Sequence, residues 1–311
     1  MKYLNRYTRF SWISKSRLAM IAFVCMTFLG LTSCNKDEIQ TVTTLTNLVW
    51  SDEFDADGAL DPTKWAYVIG NGAAEGIPGW GNQELQYYTD RADNVVVENG
   101  MLKIIAKQES FMGSGYTSGR ITTKGLFKQK YGRFEARIKL PWSKGLWPAF
   151  WMLGDDIAGG DVWPEIGEID IMENKGSEPT ITHGTVHGPG YSGSNPITKT
   201  YELPSGRFDT EFHVFGVEWG PDYINYYVDD VLYNQITPND LPTGNPPENI
   251  CEGLSESECF GINRTWNQWV FNENPFYMIL NLAVGGSFSG FPDASSVFPQ
   301  TMLVDYVRVY K

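Results

Sequence analysis

The chain has 311 residues, 42% of them hydrophobic and 14% aromatic, with 37 acidic residues against 24 basic ones and a formal net charge of −13. That acid excess argues against nucleic acid and polyanionic chains as partners and favours a neutral ligand. The length exceeds the usual single-domain size, yet β-sandwiches and barrels often reach it undivided.

The first segment reads as an address. Lys2, Arg6, Arg9, Lys15 and Arg17 form a basic stretch with no acidic residue before Cys34, followed by an apolar run from Leu18 to Leu31. A spanning helix needs about 20 apolar residues, so this run suits a removable signal peptide. Leu31-Thr32-Ser33-Cys34 resembles the lipobox of bacterial lipoproteins. The resemblance implies that residues 1–33 are a signal peptide and that Cys34 is lipidated; a non-lipidated secretory signal is the alternative. Residues 34–46 then form a polar tether, and the membrane is reached by a lipid anchor alone. Asn35-Lys36-Asp37-Glu38 resembles the export tag of surface lipoproteins in Bacteroidetes-type bacteria, which implies an outer-membrane, outward-facing location. All 37 acidic residues and 19 of the basic ones follow Cys34, so the mature balance is −18.

From residue 47 to 311 a single domain is expected. Short β-rich runs separated by Gly, Pro, Asn and Asp recur at 94–98, 102–107, 132–140, 212–219, 223–228, 276–284 and 303–310. Phe134, Ala136, Ile138 and Leu140 alternate with Glu135, Arg137 and Lys139 in the period of a half-buried strand. No long stretch keeps a helical period. Many short strands without helices predict an all-β fold, a two-sheet antiparallel sandwich or barrel. The run 238–265 breaks the pattern: it is rich in Pro, Asn, Ser and Glu and holds Cys251 and Cys259. These two cysteines remain once Cys25 leaves with the signal and Cys34 is lipidated, and a disulfide stapling this loop is expected in an oxidising compartment. The insertion is either a stapled surface excursion or a wall of the substrate cleft.

The chemistry concentrates in Glu168-Ile169-Asp170-Ile171-Met172-Glu173. Residues i and i+2 of a strand share a face about 6.5–7 Å apart, so Glu168 and Asp170 point together. Glu173 lies five positions after Glu168, an odd offset that a regular strand would send to the opposite face. A one-residue bulge near Ile171–Met172 would bring all three acids to one side. A solvated polar face or a calcium site are the competing readings. Mixed charges would mark the first, and Gly- and Asn-bearing loops the second.

The hexapeptide matches the Glu-x-Asp-x-x-Glu signature of glycoside hydrolase family 16, in the bulged form that laminarinases carry. Further matching segments are Gly79–Thr89, Tyr116–Ile121, Tyr131–Arg137, Leu146–Leu153, Asn281–Gly286 and Val304–Tyr310, so the resemblance covers nearly all of residues 49–311. It implies a jelly-roll sandwich with a concave substrate cleft, and retaining hydrolysis of a laminarin-like β-1,3-glucan, with mixed-linkage β-1,3-1,4-glucan as a second candidate. By the resemblance Glu168 is the nucleophile, Glu173 the general acid/base and Asp170 a supporting group. Asn82, Glu84 and Arg120 match polar sugar contacts, and Trp147, Trp151 and Trp163 match tryptophans along the cleft, although some of the 11 tryptophans must be core. His187 matches the histidine facing the acid cluster, with a purely structural role left open. Catalysis is expected to need no cofactor. A structural Ca²⁺ is implied at Glu53, Asp305 and the Gly100 carbonyl. Gly285-Gly286-Ser287-Phe288 departs from the Gly-Gly-Asn-Trp common in similar laminarinases and alters an expected cleft-edge contact. A non-catalytic glycan-binding protein and a hydrolase of sulfated galactans are the alternative functions. The protein is expected to be a monomer.

Overall fold

A computed structural model of the chain describes residues 45–156, 162–243 and 266–311. Two sheets carry the fold. The first contains β1 (Leu48–Asp52), β3 (Gln86–Tyr88), β4 (Val95–Val97), β5 (Leu102–Phe111), β6 (Ser114–Ser118), β8 (Gly132–Lys139), β13 (His213–Gly220), β14 (Tyr223–Val228), β15 (Val231–Ile236) and β17 (Gln300–Tyr310). The second runs β12 (Ile197–Glu202), β11 (Ile181–His187), β10 (Glu168–Glu173), β9 (Leu146–Gly154), β16 (Phe276–Val284), β7 (Arg120–Thr122) and β2 (Ala66–Tyr67) in spatial order. Pairing is antiparallel except between β3 and β6. Among the described residues the helical content is three short 3-10 turns, and no helix is long and apolar enough to cross a membrane.

The alternation seen in the sequence sets which side chains meet between the sheets. Phe134, Ala136 and Ile138 of β8 and Val304, Val307 and Val309 of β17 are fully buried, as are Phe276, Met278, Leu280 and Leu282 of β16. These residues form one continuous hydrophobic cluster with Phe150, Met152, Ile169 and Met172. Such a cluster is the dominant favourable term for folding.

The outward face of β8 departs from the expected solvated row. Glu135 is only 4% exposed and Arg133 9%. Arg133 Nε donates to Glu135 Oε2 at 2.8 Å, and the Tyr227 and Tyr310 hydroxyls reach the same carboxylate at 3.3 and 3.4 Å. Aromatic tiles from neighbouring strands cover the pair, which periodicity along one strand cannot show.

The start of the 238–265 insertion is a single 3-10 turn, Pro238–Asp240, closed by reciprocal capping between Thr237 and Asp240. Cys251 and Cys259, the proposed staple, lie outside the described residues, as do the signal segment, Cys34 and nearly all of the tether.

Candidate active site

The second sheet presents one face to the core and the other to a cleft, and the catalytic question is which face Glu173 takes. Along β10 the pairing with β9 proceeds Glu168–Leu153, Ile169–Met152, Asp170–Trp151, then Met172–Phe150 and Glu173–Ala149, with a register shift between Asp170 and Met172. On the other side, Asp170 faces Thr185 and Glu173 faces His183, with a shift in the same interval. One extra residue is thus accommodated at Ile171, and the bulge that the odd spacing demanded is present. Its physical driver is burial: Ile169, Ile171 and Met172 all join the core cluster, which leaves Glu168, Asp170 and Glu173 on the cleft side.

Each glutamate is held by its own indole. Trp163 Nε1 donates to Glu168 Oε2 at 2.6 Å, and Trp147 Nε1 donates to Glu173 Oε1 at 2.9 Å. Asp170, between them and 3% exposed, shares a hydrogen bond with Glu168, which requires a proton on one of the two carboxyls. Burial, reinforced by the Asp170 charge, pushes Glu168 up to about 8. Burial likewise raises Glu173 to about 7, against the opposing pull of His187. Asp170 is raised by burial and then by the Glu173 charge. Three carboxyls so close cannot all ionise, so the cluster retains protons near neutrality, as acid–base chemistry requires.

On the β16 side of the acids a second polar group is assembled. Asn82 Nδ2 and Gln86 Nε2 donate to Glu84 at 3.3 and 2.7 Å, and the Tyr88 hydroxyl donates to it at 3.1 Å. Asn281 Nδ2 donates to the Tyr88 oxygen at 3.2 Å, while Asn281 Oδ1 accepts from Trp151 Nε1 at 2.7 Å. Burial raises the Glu84 carboxyl, opposed by these donors and by Arg120. The Arg120 guanidinium lies between two indoles, 4.6 Å from the Trp80 centroid and 5.0 Å from that of Trp151. Trp151 therefore belongs to the cleft face rather than to the core. Gln86, Tyr88, Asn281 and Trp80 had no role assigned from sequence, although all four sit inside segments that carried the resemblance.

Toward β11, His187 Nε2 lies 3.3 Å from Asp170 Oδ2, so this histidine does face the acids. His183, which carried no assigned role, pairs opposite Glu173 and meets the Phe288 ring edge-on at 5.1 Å. Phe288 also packs on Trp147 at 5.0 Å, with Lys175 Nζ 5.2 Å from its centroid. The departure at Ser287-Phe288 thus puts an aromatic ring against the indole that holds Glu173. Trp163 stands at the opposite end of the strand, 44% exposed.

The residues expected to hold calcium do not fit an ion as they stand. Glu53 is doubly bonded by Arg308 at 3.0 and 2.7 Å, and Asp305 pairs with Arg137 at 2.6 Å. A cation would have to displace two guanidinium groups. Among the described residues the grouping of three or more metal-capable side chains is Glu168, Asp170 and His187, inside the cleft.

Residues 82–256 match the family model described as glycosyl hydrolases family 16. A β-glucanase of Rhodothermus marinus is 43% identical over 85% of this chain and 85% of its own length. A glucan endo-1,3-β-glucosidase of Niallia circulans is 39% identical over 85% of this chain, which spans 38% of that protein. The laminarinase catalytic domain of Thermotoga maritima MSB8 superposes with a TM-score of 0.72 at 48% identity, covering 85% of this chain and 98% of that domain. The bulged acid strand, its two indole-held glutamates and these likenesses converge: the chain belongs to glycosyl hydrolases family 16.

Proposed function

We propose that the protein is a retaining endo-β-1,3-glucanase acting on laminarin-like chains, with Glu168 as nucleophile and Glu173 as general acid/base. The observation that carries this is the bulge at Ile171, which turns an odd spacing into two glutamates on one face, each with a separate indole donor. In the first step the ionised Glu168 carboxylate attacks the anomeric carbon while Glu173 gives its proton to the departing glycosidic oxygen. In the second step Glu173 takes a proton from water, and that water displaces Glu168 with net retention. Asp170 is the deepest of the three acids and shares one proton with Glu168, so that the proton passes to Asp170 as Glu168 attacks and the nucleophile carries the negative charge. No cofactor enters this sequence.

Substrate class follows from the lining. Trp147, Trp151 and Trp163 offer apolar faces to the C–H surfaces of sugar rings. Asn82, Glu84 and Arg120 supply hydroxyl partners. A mature charge of −18 disfavours sulfated chains. Product analysis on laminarin, lichenan and agarose, with wild type beside Glu168→Ala, tests the proposal. Oligosaccharides from laminarin that vanish in the variant are expected; hydrolysis surviving in the variant would overturn the mechanism. Absence of cleavage of any β-glucan by wild type would leave a glycan-binding protein.

We also infer that Cys34 carries a lipid anchor and that the export-tag-like segment behind it places the domain outside the outer membrane. The basic stretch, the short apolar run and the lipobox-like Leu31–Cys34 support this reading.

A further inference from the structure

The acid cleft holds an arrangement that hydrolysis does not need. One oxygen of Glu168, one of Asp170 and a ring nitrogen of His187 all lie within 4.8 Å of one another. An ion about 2.0–2.2 Å from tetrahedrally placed ligands sets those ligands about 3.3–3.6 Å apart. Asp170 Oδ2 and His187 Nε2 are already 3.3 Å apart. Asp170 Oδ2 is buried and makes no hydrogen bond, so its lone pairs are unclaimed where the histidine nitrogen points. Closing the third edge asks only for a small swing of Glu168, whose side chain borders the open cleft.

We propose that Glu168, Asp170 and His187 form a reversible inhibitory site for a borderline divalent transition ion, for which Zn²⁺ is the probe. The donor set of two carboxylate oxygens and one imidazole suits such an ion. Calcium takes six to eight oxygens and has no use for the ring nitrogen. Three protein ligands leave a coordination position open toward the cleft, where water completes the shell. A divalent charge also relieves the mutual repulsion of the carboxyls that the fold forces together. His187 Nδ1 makes no hydrogen bond, so no outer-shell hydrogen bond orients the ring, and the affinity belongs in the micromolar range rather than that of a structural zinc site. Inhibition follows because the ligated Glu168 cannot attack an anomeric carbon; this consequence alone rests on the function proposed above.

The test is calorimetric titration of Zn²⁺ into the full-length protein, beside His187→Gln, Asp170→Asn and Glu173→Gln, each checked for folding by its thermal transition. His213→Gln, with the His213–Asp229 pair far along another strand, controls for surface histidine binding. One ion per chain is expected. Affinity should weaken by more than about 100-fold in His187→Gln and in Asp170→Asn, beyond the roughly 10–100-fold that loss of an outer-shell partner causes. Glu173→Gln and His213→Gln should bind as wild type does, and Ca²⁺ at the same concentration should give no heat. Wild-type hydrolysis should fall with Zn²⁺ over the same concentrations and return with EDTA. Unchanged Zn²⁺ affinity in both His187→Gln and Asp170→Asn would overturn the site. Binding without inhibition would overturn its inhibitory role. A protein that hydrolyses nothing but shows the calorimetric pattern would overturn the enzymatic reading and leave the metal site standing.

Discussion

Replacing the nucleophile should make the protein more stable in base, and by a margin that depends on pH. Glu168 is raised from 4.5 to about 8, chiefly by burial and then by the Asp170 charge. Between those two values the folded state binds a proton that the unfolded state has released, so stability falls as pH rises from about 4.5 to about 8. A shift of about 3.5 units corresponds to about 5 kcal/mol at most. Part of the side chain faces the open cleft, and screening there reduces the figure to about 1–3 kcal/mol. The amide introduced by Glu168→Gln would keep an acceptor for Trp163 and a donor for Asp170 while carrying no charge. Thermal unfolding of wild type and Glu168→Gln should therefore coincide at pH 4.5. At pH 9 the variant should melt about 2–12 °C higher, at about 2–4 °C per kcal/mol for a domain of this size. An equal gap at both pH values, or a variant less stable at pH 9, would refute the argument that the acid cluster is held together against its own charge.

Three further outcomes follow from the same geometry and a fourth from the sequence of the N-terminal segment. Glu173→Gln should lower kcat on laminarin by about 10²–10⁴-fold. The loss should be far smaller on aryl glucosides whose leaving group needs no proton, and equal losses on both would remove Glu173 from the acid role. Deleting Ile171 erases the bulge but leaves Glu168 and Glu173 four positions apart, so a regular strand keeps both on the cleft face and hydrolysis should persist in part, and Ile171→Ala should keep activity at a stability cost of about 2–5 kcal/mol; a folded deletion variant without any activity would contradict the register. Asn281→Ala leaves the Trp151 N–H without its acceptor and should cost about 1–3 kcal/mol, read by chemical denaturation, together with a raised KM. Cys34→Ala should abolish incorporation of radiolabelled palmitate in a bacterial host, and labelling that persists would locate the acyl chain elsewhere or dismiss it.

The sequence by itself determined eight of the seventeen strands among the described residues, because period-two alternation is a local property: Phe134, Ala136 and Ile138 announced the core face of β8, and the bounds of β14 and β16 were legible to the residue. It also determined the identity of the acids, and the odd offset between Glu168 and Glu173 that made a bulge necessary. What only the tertiary structure decided was everything that depends on neighbours across the sheet. The bulge exists because Ile169, Ile171 and Met172 all find room in the core cluster, a balance no single strand encodes. Glu135 looked solvated until tyrosines of β14 and β17 covered it. Asn281 and Tyr88, 193 positions apart, meet through a hydrogen bond that spacing cannot foretell. The same holds for calcium: Glu53 and Asp305 have the right chemistry, but the strands bring Arg308 and Arg137 against them. Residue type and local period set which faces a chain can offer, and long-range packing sets what each face meets.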